Sequence, residues 1–392
     1  MSSRTLLRAQ STVQNGDPPV TPRRPRQSRS GRRPGVAVLP VLAGVVGTAV
    51  GLGIGVRHLQ VAGPSLLAVA GLASLVAGLV ALIAGGIELV GSLRSWRKLL
   101  AVPVGLLAIW FLLWPLTAAL MATNVPPTSL GTETPANRGL AYEDVDLLTS
   151  DDVRLSAWYV PSRNRAAVAL LHGATSTRSN VLDEAAVLAD HGYGVLLVDA
   201  RGHGRSEGVA MDWGWYGDLD IGAAVSYLSE RPDVNPERLG VVGMSMGGEE
   251  AIGAAATNDA IRAVVAEGAS SRVTVDDDDL ILPDHAGRWF NIGQTWIQRS
   301  ITDALTGAGP PLALREAVVA TAPRPVLLIT GSNALGGEVS AGPRLRDASP
   351  DNVELWEVPG ASHIAGLATA PDEWEIRVIT FLDRALAEPL ES

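Results

Sequence analysis

Ser245 stands between glycines in Gly243-Met244-Ser245-Met246-Gly247, directly after the apolar run LGVVG and directly before a helical pattern. A serine hydroxyl becomes an effective nucleophile when a tight strand-to-helix turn pushes it into the open and a base takes its proton. The flanking glycines supply that turn, because side chains at those positions would clash. The base must titrate near neutral pH, which selects histidine. His363, in PGASH, follows the run VELWEV and precedes the last helical pattern, so it sits at a strand end facing the same edge as Ser245. Of the other five histidines, His58 borders a membrane segment, His191 ends a helix, His172 and His203 lie in turns, and His285 lies in a polar segment. The chemistry expected is acyl transfer to Ser245 with His363 as general base.

Such a reaction also needs two fixed donors for the developing oxyanion. The backbone N–H of Met246, just after the nucleophile, is one. The loop Leu171-His172-Gly173-Ala174-Thr175 offers the other, at Ala174 with Thr175 as the fallback, while His172 is expected to hold the loop's shape.

The elements that must position these groups are legible as alternating patterns. Strands are expected at 143–148, 154–160, 167–171, 194–200, 239–243, 263–268, 325–331 and 353–360, with helices near 181–190, 219–229, 247–256 and 372–387. Apolar strands alternating with helices predict an α/β fold whose mostly parallel sheet is covered on both faces, with an antiparallel pair at its start. Working groups then gather on loops at the carboxyl ends of the strands. The loop DARGHGRSEG (199–208) reads as a structural turn, and Trp213, Trp215 and Tyr216 as either pocket lining or core.

Composition removes other chemistries. There is no cysteine, hence no disulfide framework, thiolate metal site or cysteine nucleophile. The single lysine, Lys98, precedes Leu99, so neither a phosphate loop nor a Schiff-base lysine is available. Neither a cofactor nor a metal is expected. Asp276 to Asp279 form an acidic run that reads as a solvated loop more readily than as a cation site.

These motifs together resemble the α/β-hydrolase superfamily, in its esterase, dienelactone-hydrolase-like and serine-peptidase-like branches, from about Leu140 to Ala387. The resemblance implies the order nucleophile, acid, base, and Ser245 and His363 stand at its two ends. It places an Asp three residues after the glycine ending the seventh strand; that glycine is Gly331 and the matching residue is Ala334. Glu338 is the nearest carboxylate on that loop. Glu267, at the end of the sixth strand, is the alternative acid, and Asp347 a third. The implied function is hydrolysis of an ester, thioester or amide of a small-molecule, lipid or peptide acyl substrate. An envelope acyltransferase with the same triad, or a degenerate non-catalytic membrane scaffold, are the competing readings. Residues 269–324, with Trp289, Phe290 and Trp296, read as either a cap or a packed surface helix.

Ahead of this domain the chain changes character. Residues 1–125 carry two acids against twelve Lys and Arg, and the remainder 39 acids against 19 bases, so nucleic acid is not an expected partner of the acidic part. Residues 1–34 read as a disordered basic tail. Three apolar runs, 35–56, 66–90 and 99–122, are each long enough for the ~20 residues that cross a bilayer. A cleaved signal peptide is the rival reading of the first run. Gly47, Gly51 and Gly55 repeat at four-residue spacing and suit either close helix contact or a lipid-facing surface. Glu88 reads as interfacial. The arginine-rich tail and Arg94, Arg97 and Lys98 predict an inner side, and three crossings then put the catalytic domain outside the cytoplasm. The boundaries expected are tail 1–34, membrane region 35–123, proline-rich linker 124–139 and catalytic domain 140–392, and a chain starting near Gly131 is expected to be soluble.

Overall fold

The computed structural model of the protein describes residues 34–93, 95–273, 275–276, 288–334 and 337–387. The basic tail up to residue 33, Arg94, Asp277 to Asp279, His285 and the side chain of Trp289 lie outside the described residues.

The expected α/β architecture is present, an eight-stranded sheet in the order β1-β2-β4-β3-β5-β6-β7-β8. Its strands are β1 (Glu143–Leu148), β2 (Arg154–Val160), β3 (Ala167–Leu171), β4 (Gly194–Val198), β5 (Leu239–Met244), β6 (Ala263–Glu267), β7 (Val326–Gly331) and β8 (Val353–Val358). β1 pairs antiparallel with β2 and β2 with β4, and every other pairing is parallel. Both faces are covered. Along β3, Ala167, Ala169 and Leu171 enter one buried cluster while Val168 and Leu170 enter the other, which is why the strand reads as continuously apolar. β4 ends earlier than its apolar run because Asp199 turns into the following loop, where it accepts the N–H groups of Arg178 and Arg205.

Among the described residues, the N-terminal part contains three helices long and apolar enough to cross a membrane: Val38–Ala62, Leu66–Gly91 and Ser95–Thr123. Gly47, Gly51 and Gly55 face the second of these. A Cβ at Gly55 would lie 2.5 Å from the Gly71 carbonyl carbon, and one at Gly47 would lie 3.0 Å from the Gly78 α-carbon. The close-contact reading of these glycines therefore holds, and Ser74 Oγ donates to the Gly47 carbonyl across the seam at 3.1 Å.

Arg57 and Asp212 tie the spans to the hydrolase domain. The Arg57 guanidinium pairs with Asp212 at 2.5 Å and also donates to the Met121 carbonyl. The Asp212 N–H donates to the Ala122 carbonyl at 3.1 Å. The helix Arg288–Thr306 does not cover the sheet as a small cap. Its main packing is along the third span, where the Phe290 and Phe111 rings meet edge-on at 5.0 Å.

Candidate active site

Ser245 caps the elbow helix (Met246–Thr257) with φ 54° and ψ −121°, a left-handed conformation costing a non-glycine residue on the order of 1–3 kcal/mol. Neighbouring structure holds it there. The Ser245 N–H donates to the Glu267 carbonyl at 2.7 Å, and the Ser245 carbonyl accepts from Gly248 at 2.8 Å. The elbow glycines are sterically required: a methyl group on Gly243 would overlap the Gly247 carbonyl, and one on Gly247 would lie 2.7 Å from the His172 carbonyl oxygen.

The structure brings three of the named residues into one chain of hydrogen bonds. His363 Nε2 lies 2.9 Å from Ser245 Oγ, and His363 Nδ1 lies 2.6 Å from Glu338 Oε2. The second oxygen of Glu338 accepts the Gly331 N–H at 2.8 Å, fixing the carboxylate to the end of β7. Glu338 is 1% exposed and His363 44% exposed, so the carboxylate is sheltered while the ring faces solvent. The bond to Glu338 raises the His363 pKa above its ordinary value, with partial burial opposing.

Gly268, just past β6, has φ +76°, and a Cβ there would sit 2.9 Å from His363 Cε1. The ring's seat thus depends on a glycine that lies just outside β6, although the apolar pattern 263–268 includes it in the strand. Its signal was present, in a glycine closing an apolar run beside the strand that carries Ser245.

Glu267 is engaged elsewhere. It is buried, its Oε1 accepts the Gly366 N–H at 2.7 Å, and its Oε2 accepts the Trp374 indole N–H at 2.9 Å. Both oxygens brace the segment after His363 instead of the ring itself, which removes Glu267 as the acid facing His363. Asp347 pairs with Arg346 on the surface and is likewise away from His363.

The loop after β3 lies against Ser245, since a Cβ at Gly173 would be 3.1 Å from Ser245 Cβ. Ala174 is half-buried beside it, and Met246 is buried at the first position of the elbow helix. His172 is a brace: Nδ1 donates to the Gly173 carbonyl at 2.7 Å and Nε2 accepts the Ala200 N–H at 3.1 Å. Burial pushes its pKa down to about 3, which keeps the ring neutral. The aromatic segment after β4 is core, with Met211 and Trp215 buried and Trp213 and Tyr216 packed against them. Asp276 closes a turn, accepting from the Arg272, Val273 and Leu314 N–H groups.

Comparison with known proteins agrees with the α/β-hydrolase fold. Residues 162–307 match the family described as serine aminopeptidase, S33. A thiohydrolase of Aspergillus aculeatus is 33% identical over 138 residues, 33% of this chain and 42% of that protein. An α/β-hydrolase domain-containing protein of Arabidopsis thaliana is 31% identical over 164 residues, 40% of this chain and 51% of that one. The chain thus spans about half the length of these curated relatives. Among solved structures, an esterase of Pyrococcus furiosus superposes with a TM-score of 0.54 at 26% identity, covering 67% of this chain and 99% of the esterase.

Proposed function

Because this chain has the α/β-hydrolase fold, we propose that it is a membrane-anchored serine hydrolase that cleaves an ester, thioester or amide through an acyl-enzyme on Ser245. The observation that carries this reading is the Ser245–His363–Glu338 chain of hydrogen bonds at the carboxyl ends of β5, β7 and β8. His363 Nε2 takes the Ser245 proton as Oγ attacks the acyl carbonyl. Glu338 accepts from Nδ1, holds the tautomer and stabilises the imidazolium. The Met246 and Ala174 N–H groups receive the oxyanion. His363 then returns its proton to the leaving group, and a water activated by the same ring releases the acid.

The exposure of His363 favours water over another acyl acceptor, since an acyltransferase has to exclude water at this step. The catalytic domain is proposed to lie outside the cytoplasm, on the side where Arg57 meets Asp212.

A fluorophosphonate probe on the full chain in detergent tests the nucleophile. Labelling and turnover are expected to vanish in Ser245→Ala, and His363→Ala is expected to lower turnover by at least ~10³. Wild-type chain that resists the probe would move the reading to a non-catalytic scaffold. A C-terminal reporter active in the cytoplasm would reverse the proposed topology.

A further inference from the structure

We propose that the helix Arg288–Thr306 is inserted into the bilayer leaflet beside the third span, and that the active site takes its substrate, an acyl ester of a membrane lipid, from that leaflet. The substrate half rests on the serine-hydrolase reading above, whereas the insertion does not.

The third span carries Arg97 and Lys98 near its start and no charge from Leu99 to Thr123, so its basic end marks one boundary of the hydrocarbon. Phe111 is thirteen residues beyond Lys98, at most ~20 Å away at 1.5 Å per residue, and any tilt brings it closer. The hydrocarbon core is ~30 Å thick. Phe111 therefore lies inside it. The Phe290 ring is 5.0 Å from the Phe111 ring, and Gly293 leaves the notch that receives it, since a Cβ there would meet Phe111 Cζ at 2.8 Å. Phe290 and Gly293 share that depth.

Its residue types suit the position. From Phe290 to Gln298 there is no charge; after Arg288, whose side chain lies outside the described residues, the next charged residue is Arg299. Arg299 is nine residues beyond Phe290, ~14 Å along the helix, which reaches the far boundary. Trp296, 69% exposed, falls just short of it, in the zone where tryptophan concentrates at membrane interfaces.

The helix then leads to the site. At its C-terminal end, the Thr306 carbonyl accepts from Tyr216 Oη at 2.5 Å. Tyr216 follows Asp212, the partner of Arg57 and Ala122, so this helix and the third span end at the same loop and run in the same direction. That loop presses on the elbow helix: Cβ atoms at Gly214 and Gly217 would run into Glu250, four residues after Met246. The helix is thus joined through this loop to the elbow helix, so a lipid drawn from the leaflet beside it meets the domain on the side of the Ser245 elbow, sparing a long acyl chain transfer through water.

The absence of native cysteine permits a direct test. Single-cysteine variants Ile292→Cys and Asp259→Cys of the full chain, labelled with a nitrobenzoxadiazole dye, are reconstituted in phosphatidylcholine vesicles with brominated acyl chains. Quenching is expected at 292 and not at 259, whose side chain is 98% exposed on the domain. No quenching at 292 overturns the insertion. In the same vesicles, Trp296→Glu is expected to lower turnover of a long-chain diacylglycerol at least about tenfold relative to a water-soluble acetyl ester, and Trp296→Phe to restore it. Equal effects on the two esters overturn the lipid substrate. If neither ester is turned over and the fluorophosphonate fails to label Ser245, the hydrolase reading falls and takes the substrate with it, while the quenching still decides the insertion.

Discussion

His363 lies between a buried carboxylate and a half-buried hydroxyl, and the carboxylate controls its proton affinity. The pKa of the ring is raised, chiefly by the bond to Glu338. A general base works only when neutral, so kcat/KM should fall with decreasing pH through a midpoint above the ~6.5 of an ordinary histidine. Glu338→Gln removes the principal cause. The midpoint should then move down while turnover drops by ~10² to 10⁴; a pH–rate profile that keeps its midpoint in this variant would separate Glu338 from the base. For stability the sign is opposite: a raised folded pKa favours the protonated folded state, a contribution present below the unfolded pKa and lost as pH rises through the folded one. Glu267→Gln is expected to act differently, because its two oxygens hold Gly366 and Trp374. Losing one buried bond costs ~1–3 kcal/mol, so this variant should lower the thermal midpoint and leave kcat nearly intact, as calorimetry beside a turnover assay would reveal. At this scale the sequence showed Ser245 and His363 by their turns, but left the carboxylate between Glu338 and Glu267. Glu267 ends β6 and Glu338 follows the neighbouring β7, and only side-chain direction separates a carboxylate facing Nδ1 from one facing an indole.

Strands β3 to β7 were legible because a sheet covered on both faces demands unbroken apolar runs, while β1 and β8 at the sheet edges carry outward charges; each expected strand is present with its end shifted by no more than two residues. The helix Glu338–Ala348 was not legible. Gly342 and Pro343 break its pattern, although Gly342 is there because a Cβ would lie 2.9 Å from both Leu355 and Thr330 methyl carbons. That helix begins just after Gly337, in the left-handed region at φ 92°, and so places Glu338 under the β7 end. Among the spans, the glycine seam admits a sharp test. Gly55→Leu puts a branched side chain where the Gly71 backbone already stands, and overpacking of this kind costs ~1–3 kcal/mol or more. Its thermal midpoint in detergent should fall, whereas Gly86→Leu, with nothing within 4 Å of its Cβ position, should leave it unchanged. Equal midpoints would mean that the first two spans are not held together by this seam.

At the scale of the whole molecule, sequence and structure point to different boundaries. The proline-rich segment 124–139 reads as a linker that would release a soluble domain when the chain starts near Gly131. The contacts argue otherwise. The helix Arg288–Thr306 belongs to the hydrolase part of the chain, yet its Phe290 and Gly293 pack on Phe111 of the third span. Asp212 has its cationic partner in Arg57, and its N–H has its acceptor at Ala122. A chain starting at Gly131 loses all of these partners together. An apolar helix face is left bare, and such patches drive association. We therefore expect that truncated chain to keep its sheet but to elute as aggregate without detergent, and as a single species with it. Replacing Phe290 and Ile297 by glutamine in the truncated chain should restore a monomer in plain buffer, with turnover of a water-soluble ester retained, because neither residue belongs to the Ser245–His363–Glu338 chain of hydrogen bonds. Size-exclusion chromatography with light scattering decides the matter. A monodisperse truncated chain without detergent or substitutions would mean that this helix finds its partner within the hydrolase domain and that the linker is the true boundary.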